Sequence, residues 1–180
     1  RGLRSPRRFR IVRRALAAGC SKPGFRVVEF SVQSNHLHLI CEADDRARMS
    51  RGLQGLFIGI AKALNRALGR RGRVFADRHH DRVLASPREV RHALAYVLNN
   101  ARRHTAKRGA SKPRGWVDPC SSGSEFDGWS TRPRNWTRLD DEAPLPRALS
   151  WLLDVGWRKH GLIRIDEVPG RRSSVLRHPG

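Results

Sequence analysis

Apolar positions recur along the first hundred residues with two different periods. From Ser5-Pro6, a cap followed by proline at the first helical position, Phe9, Val12, Ala15 and Leu16 return at helical spacing until Gly19, which predicts a helix. Phe25 to Ala43 is rich in Val, Phe, Ile and Leu and is interrupted by the polar Gln33-Ser34-Asn35, the pattern of a strand, a short turn and a second strand. Helical spacing resumes from Met49 to Leu68 through Leu53, Leu56, Ile60, Leu64 and Leu68. Gly52, Gly55 and Gly59 each weaken that helix by roughly 1 kcal/mol relative to Ala, and their spacing suits close packing on a sheet.

Gly69 to Arg73 reads as a basic turn, and Val74-Phe75 and Val83-Leu84 read as short strand pieces. Ser86-Pro87-Arg88-Glu89 is a capping box that opens a third helix running to about His104. The order helix, strand, strand, helix, strand, helix predicts an α+β fold with helices packed on one face of an antiparallel sheet. Beyond about Thr105 the character shifts to Gly, Ser, Pro and acidic residues, and all five Trp residues lie at or after Trp116. Residues 106–180 are expected to be a loosely structured extension to a domain of residues 1–105, with one helix from Ala148 to His160 in which Trp151 and Trp157 form a small core.

Composition then narrows the class of partner. Lys and Arg number 37 against 16 Asp and Glu, a formal charge of +21 that no fold requires and that a polyanion would meet. Nucleic acid is the first candidate. An anionic membrane is the other, but no apolar run approaches the roughly 20 residues needed to span a bilayer, and no signal peptide is read. Cys20, Cys41 and Cys120 show no CxxC pairing, so neither a disulfide framework nor a zinc knuckle is indicated and a reducing cytoplasm is the expected location.

Two features carry candidate chemistry. On a strand, His36, His38 and Ile40 share one face, so the two imidazoles can bind one ion together, with a third ligand from elsewhere. Taken alone, the pair reads equally well as satisfied core or surface histidines. Tyr96, the one tyrosine of the chain, lies away from the apolar stripe of Val90, Leu94, Val97, Leu98 and Ala101, in a row with His92, Asn100 and Arg103. A phenol is a poor nucleophile near neutral pH because its pKa is about 10. A divalent ion that binds and polarises a phosphodiester makes attack by an aligned phenol feasible.

With these residues the sequence resembles the HUH single-tyrosine transposases, most closely the REP-associated tyrosine transposases of bacteria. Ser34-Asn35-His36-Leu37-His38-Leu39-Ile40 matches the family's histidine signature, and Tyr96-Val97-Leu98-Asn99-Asn100 its tyrosine segment. Gly72-Arg73-Val74-Phe75-Ala76-Asp77-Arg78 is similar to an intervening family stretch. The resemblance spans about Phe25 to His104. It implies a ferredoxin-like palm whose first strand would precede Arg1 and is expected to be lacking. It further implies that His36, His38 and Asn100 ligate Mg²⁺ or Mn²⁺, and that Tyr96 is the nucleophile. The implied substrate is single-stranded DNA folded into hairpins, cut and rejoined in transposition with no cofactor but the metal.

Such a substrate needs a basic track for its phosphates. Arg70, Arg71, Arg73 and Arg78 cluster between the second and third helices, while Arg102, Arg103, Lys107 and Arg108 follow the tyrosine. The tryptophans offer stacking faces for bases. His79-His80 is a weak metal candidate because adjacent strand residues face opposite ways, and His92 is a candidate contact for the phosphate or the phenol. A non-catalytic nucleic-acid-binding module and a relaxase or replication-initiation nuclease are the competing readings. A monomer or a dimer is equally compatible with the sequence.

Overall fold

The computed structural model describes residues 2–75, 80–134 and 144–169. Helix α1 (Pro6–Gly19) leads into β1 (Ser21–Lys22), β2 (Phe25–Val32), β3 (Leu37–Ala43) and the long α2 (Arg46–Ala67). Helices α3 (Pro87–Leu98), α4 (Asn100–Lys107) and the single turn α5 (Trp151–Asp154) follow. The α+β class and the antiparallel sheet with packed helices agree with the expectation from sequence.

The sheet runs in the order β1-β2-β3, all antiparallel. Its third strand is Ser21–Lys22, not Val74-Phe75 or Val83-Leu84, which form no strand. Both dipeptides are too short to offer a run of ladder bonds. Val74 and Phe75 pack instead against the core under α1 and α2, and Val83 lies in solvent. The turn between β2 and β3 is closed by the Gln33 N–H, which donates to the His36 carbonyl at 2.8 Å.

Alternation along the strands gives the sheet two unlike faces. Phe25, Val27, Phe30 and Val32 stand opposite Ala43, Cys41, Leu39 and Leu37, and this apolar face packs on α1 and α2. A register shift between Val27 and Glu29 keeps the pattern in phase, the extra residue Val28 turning to the other side. Of the α2 glycines, Gly52 supports the predicted close approach, since a Cβ there would run into the Phe25 ring. Gly59 faces open space and has no such role.

The second face, carrying Glu29, Ser31, His38 and Ile40, is covered by α3, so the helices do not all lie on one face as predicted: α1 and α2 share one side and the tyrosine helix occupies the other. The Ser86 hydroxyl caps α3 by accepting from the Glu89 N–H, as the capping box predicts. The single helix expected to run to His104 is bent at Asn99 (φ −98°, ψ 16°), although Asn99 and Arg103 N–H groups still bond four residues back.

The described residues of 106–134 and 144–169 are largely irregular, as expected, but they are not loose. Val117, Phe126, Trp129, Leu153, Trp157, Ile163 and Ile165 are buried in one cluster with Val28, Ile40 and the apolar stripe of α3. The segment also bonds to the outer edge of β2, where Ser31 bridges Ser121 and the Val32 N–H donates to the Cys120 carbonyl at 2.8 Å. Arg4 forks onto Asp118 at 2.6 and 2.8 Å, tying the first residues to it. The boundary expected near residue 105 therefore falls inside a shared core. The predicted helix from Ala148 to His160 is broken at Gly156 into α5 and a 3₁₀ turn, Gly156–His160. Trp157 is 1 % exposed within the shared core, whereas Trp151 is half exposed and does not join it.

Candidate active site

The histidine pair sits where the β2–β3 turn becomes β3. His36 is the last residue of the turn and His38 the second of the strand, so both rings lie on the face that α3 covers. Their Nε2 atoms are 3.2 Å apart. Asn35 stands behind the first of them, with its Oδ1 2.9 Å from His36 Nδ1. An amide oxygen only accepts, so Nδ1 carries the proton and the Nε2 lone pair is directed at His38.

Burial first, and then the positive fields of His36, His104 and Arg103, pull the His38 pKa down to about 4. Its imidazole is therefore neutral at neutral pH, the form that ligates metals. The His38 ring also meets Tyr96, with 5.2 Å between centroids and an interplanar angle of 81°. The Arg103 guanidinium lies over the Tyr96 ring at 4.9 Å. The phenol ring is thus held between a cation from its own helical row and an imidazole from the sheet.

Asn100, one turn beyond Tyr96, is 0 % exposed, and neither atom of its carboxamide has a hydrogen-bond partner among the described residues. An unpaired buried polar group costs about 1–3 kcal/mol, so this amide suits a position where a ligand satisfies it. Two nitrogens bound to one ion at about 2.1 Å each, with an angle near a right angle between them, lie about 3 Å apart, close to the observed separation. The two imidazoles thus fit a divalent ion with positions left open, and the unpartnered Asn100 carboxamide is of the donor type that could occupy one. Between the two predicted ions, imidazole nitrogen favours the softer Mn²⁺ over Mg²⁺. Among the described residues no group of three or more His, Cys, Asp or Glu completes the site in another way.

His104, which sequence reasoning used only as a helix end, belongs to the same neighbourhood. It lies one turn past Asn100, and desolvation first, then the charges of Lys107, His36, Arg103 and Arg108, lower its pKa. Its spacing of four from Asn100 was the available signal. Asn35 was legible as part of a motif, but its role behind His36 was not.

The predicted DNA contacts separate into distinct groups. Arg70, Arg71 and Arg73 are exposed beyond α2, with Arg70 Nε donating to Asn65 Oδ1 and Arg73 Nε to the Phe75 carbonyl. Arg103 faces Tyr96 and Lys107 is exposed at the end of α4. Arg102 is a correction: it is buried, and its guanidinium donates to the carbonyls of Lys112, Pro113 and Trp116 at 3.0–3.1 Å. It braces the chain after α4 and has no surface to offer a strand.

Arg78, His79 and Trp136 lie outside the described residues. His80 and His92 are exposed, and neither approaches the histidine pair closely enough to form a metal group with it. Of the remaining tryptophans, Trp129 is buried with its Nε1 donating to the Gly123 carbonyl, and Trp116 lies half-buried beneath Lys112. No described helix is long and apolar enough to cross a membrane. No family model, curated protein or solved structure matches the chain, which leaves the site's own chemistry to carry the functional reading.

Proposed function

We propose that the protein cuts and rejoins single-stranded, hairpin-forming DNA through a phosphotyrosine at Tyr96, the strand-transfer chemistry of DNA transposition, acting in the cytoplasm as a monomer or dimer. The observation that supports this best is the double contact of His38, which meets His36 through Nε2 and Tyr96 through its ring face or edge. A candidate metal pair and the only phenol of the chain thereby share one site.

His36, His38 and Asn100 would hold Mg²⁺ or Mn²⁺, which when bound neutralises and polarises the scissile phosphate. Tyr96 Oη attacks the phosphorus, its proton passing to solvent, as the bond from phosphorus to the 3′ oxygen breaks. The 3′ oxygen takes a proton from solvent and leaves as a free 3′-hydroxyl, and Tyr96 keeps the 5′ phosphate as a diester. Attack by a 3′-hydroxyl on that linkage reverses the step and rejoins strands without a nucleoside triphosphate. Arg103 fixes the plane of the phenol from one side, and Arg70, Arg71, Arg73 and Lys107 supply positive charge for the strand.

The test is to incubate the protein with hairpin single-stranded DNA and Mn²⁺ and look for a covalent adduct on a denaturing gel. Wild type forms the adduct and Tyr96→Phe does not. Salt-sensitive binding with no adduct in wild type would replace this reading with a non-catalytic binding module.

A further inference from the structure

A cavity of about 620 Å³ opens between residues 114–115, 130–134 and 164–166, and none of the histidine, tyrosine or arginine residues of the candidate active site lines it. Its walls carry Arg114, Arg132, Arg134 and Arg164, and the one carboxylate among its described lining residues is Asp166, paired with Arg164 at 3.1 Å. Asp166 is engaged by Arg164, so Arg114 and Arg134 add positive charge that no carboxylate among the described lining residues offsets. Like charges gathered round one concavity repel one another and raise the local potential for an anion. The floor is apolar, formed by the buried Ile165.

The walls are built, not draped. The Arg134 N–H donates to the Gly115 carbonyl at 2.9 Å, and the Arg134 stem lies so close over Gly115 (φ +74°) that a Cβ there would sit 3.0 Å from its Cγ. The Asn99 amide donates to the Arg164 carbonyl at 3.1 Å, while Arg102 holds the carbonyls just before the Arg114 wall and that of Trp116 just beyond it. Asn99 and Arg102 belong to the helical stretch that carries Tyr96, Asn100 and Arg103. The cavity is thereby tied to the helical stretch that carries the tyrosine.

We infer that this cavity is a second nucleic-acid site, taking the phosphates of a single strand beyond the segment presented to Tyr96. It rests on the nucleic-acid reading above but not on cleavage. Arginine is the side chain whose planar fork matches phosphate oxygens in pairs, and a cavity of this size accommodates a nucleotide unit. The exposed hydroxyls of Ser130 and Thr131 add neutral donors to the same wall.

The test measures binding of a labelled single-stranded oligonucleotide by fluorescence anisotropy across a salt series, in full-length protein carrying Tyr96→Phe so that no cleavage intervenes. Adding Arg114→Gln and Arg134→Gln is expected to weaken binding about tenfold and to flatten the slope of log K against log salt by about 1.4, at about 0.7 for each phosphate that the protein no longer neutralises. Adding Asp166→Asn instead is expected to tighten binding about twofold, a gain that a misfolded variant would not give. Unchanged affinity and slope in the double variant, or no tightening with Asp166→Asn, overturns the inference. So does displacement of the oligonucleotide by inorganic phosphate or polyglutamate at matched ionic strength in wild type but not in the double variant, since the cavity would then serve a free anion or an acidic peptide. Loss of the covalent adduct in the separate gel assay, with these binding effects intact, would remove the cleavage reading alone.

Discussion

His38 and Tyr96 meet at nearly right angles across the interface between the sheet and α3, with 5.2 Å between their ring centroids. A strand residue and a helix residue almost sixty positions apart in sequence are thereby joined without a hydrogen bond. The contact depends on the ring of Tyr96 and the chemistry on its hydroxyl. Tyr96→Phe is therefore expected to keep thermal stability within about 1 kcal/mol of wild type and to keep oligonucleotide binding, while adduct formation disappears. Thermal melts and the denaturing gel check the two halves of that expectation.

The Asn35 side chain selects the ring nitrogen that His36 presents. Asn35→Ala should lower Mn²⁺ affinity by about 10- to 100-fold, the usual cost of losing a partner that orients a ligand. Removing a ligand outright, in His36→Ala or His38→Ala, should cost more. Mn²⁺ titrations followed by electron paramagnetic resonance read these affinities directly and need no DNA.

Burial pushes the Glu29 carboxyl up to about 8, an effect that its hydrogen bond from the Ser122 hydroxyl only partly opposes and that Glu125 and Asp127 reinforce. A folded-state pKa raised above the unfolded value means that the stability is fully present below about 4.5 and is lost as pH rises through about 8. His38 acts in the other direction, its depressed pKa withdrawing stability as pH falls from about 6.5 through about 4. Above neutrality only the Glu29 effect remains of the two. Urea midpoints should fall between pH 7 and 9 in wild type but stay level in Glu29→Gln, which accepts the same Ser122 bond and should be more stable by a few kcal/mol at pH 9.

The shared core predicts that the first 105 residues do not fold by themselves. Trp157 stacks on Phe126 with 5.7 Å between centroids and donates its Nε1 to the Leu153 carbonyl. Trp157→Ala should destabilise the whole protein by about 3–5 kcal/mol, and a fragment ending at Thr105 should lack the near-ultraviolet dichroism and the cooperative melt of the full chain.

How far the sequence could be read depended on the range of the interactions. Helix α1, the β2–β3 turn, α2 and the cap of α3 were legible because their signals are local: Ser5-Pro6, the polar break at Gln33-Ser34-Asn35, the leucine spacing and Ser86 with Glu89. So were the common strand face of His36 and His38 and the helical row of Tyr96, Asn100 and Arg103. The burial of Arg102 was not, because the three carbonyls that hold it belong to a loop with no periodic pattern. Nor was the role of residues 106–169, whose Val117, Trp129 and Ile163 are spaced irregularly and become a core only against α3. The strand face covered by α3 followed from a register shift at Val27 and Glu29, and composition carries no mark of it.

The seating of Trp157 and Ile163 beneath α3 also sets a timetable for synthesis. A nascent chain that has released α3 from the ribosome already contains both histidines and the tyrosine, yet the residues that support the tyrosine helix from below have still to emerge. Pairings such as Arg4 with Asp118 and Arg13 with Glu125 likewise wait on more than a hundred intervening residues, the long-range closure that slows folding. The site is therefore assembled late, and a ribosome-bound fragment carries its parts without holding them together.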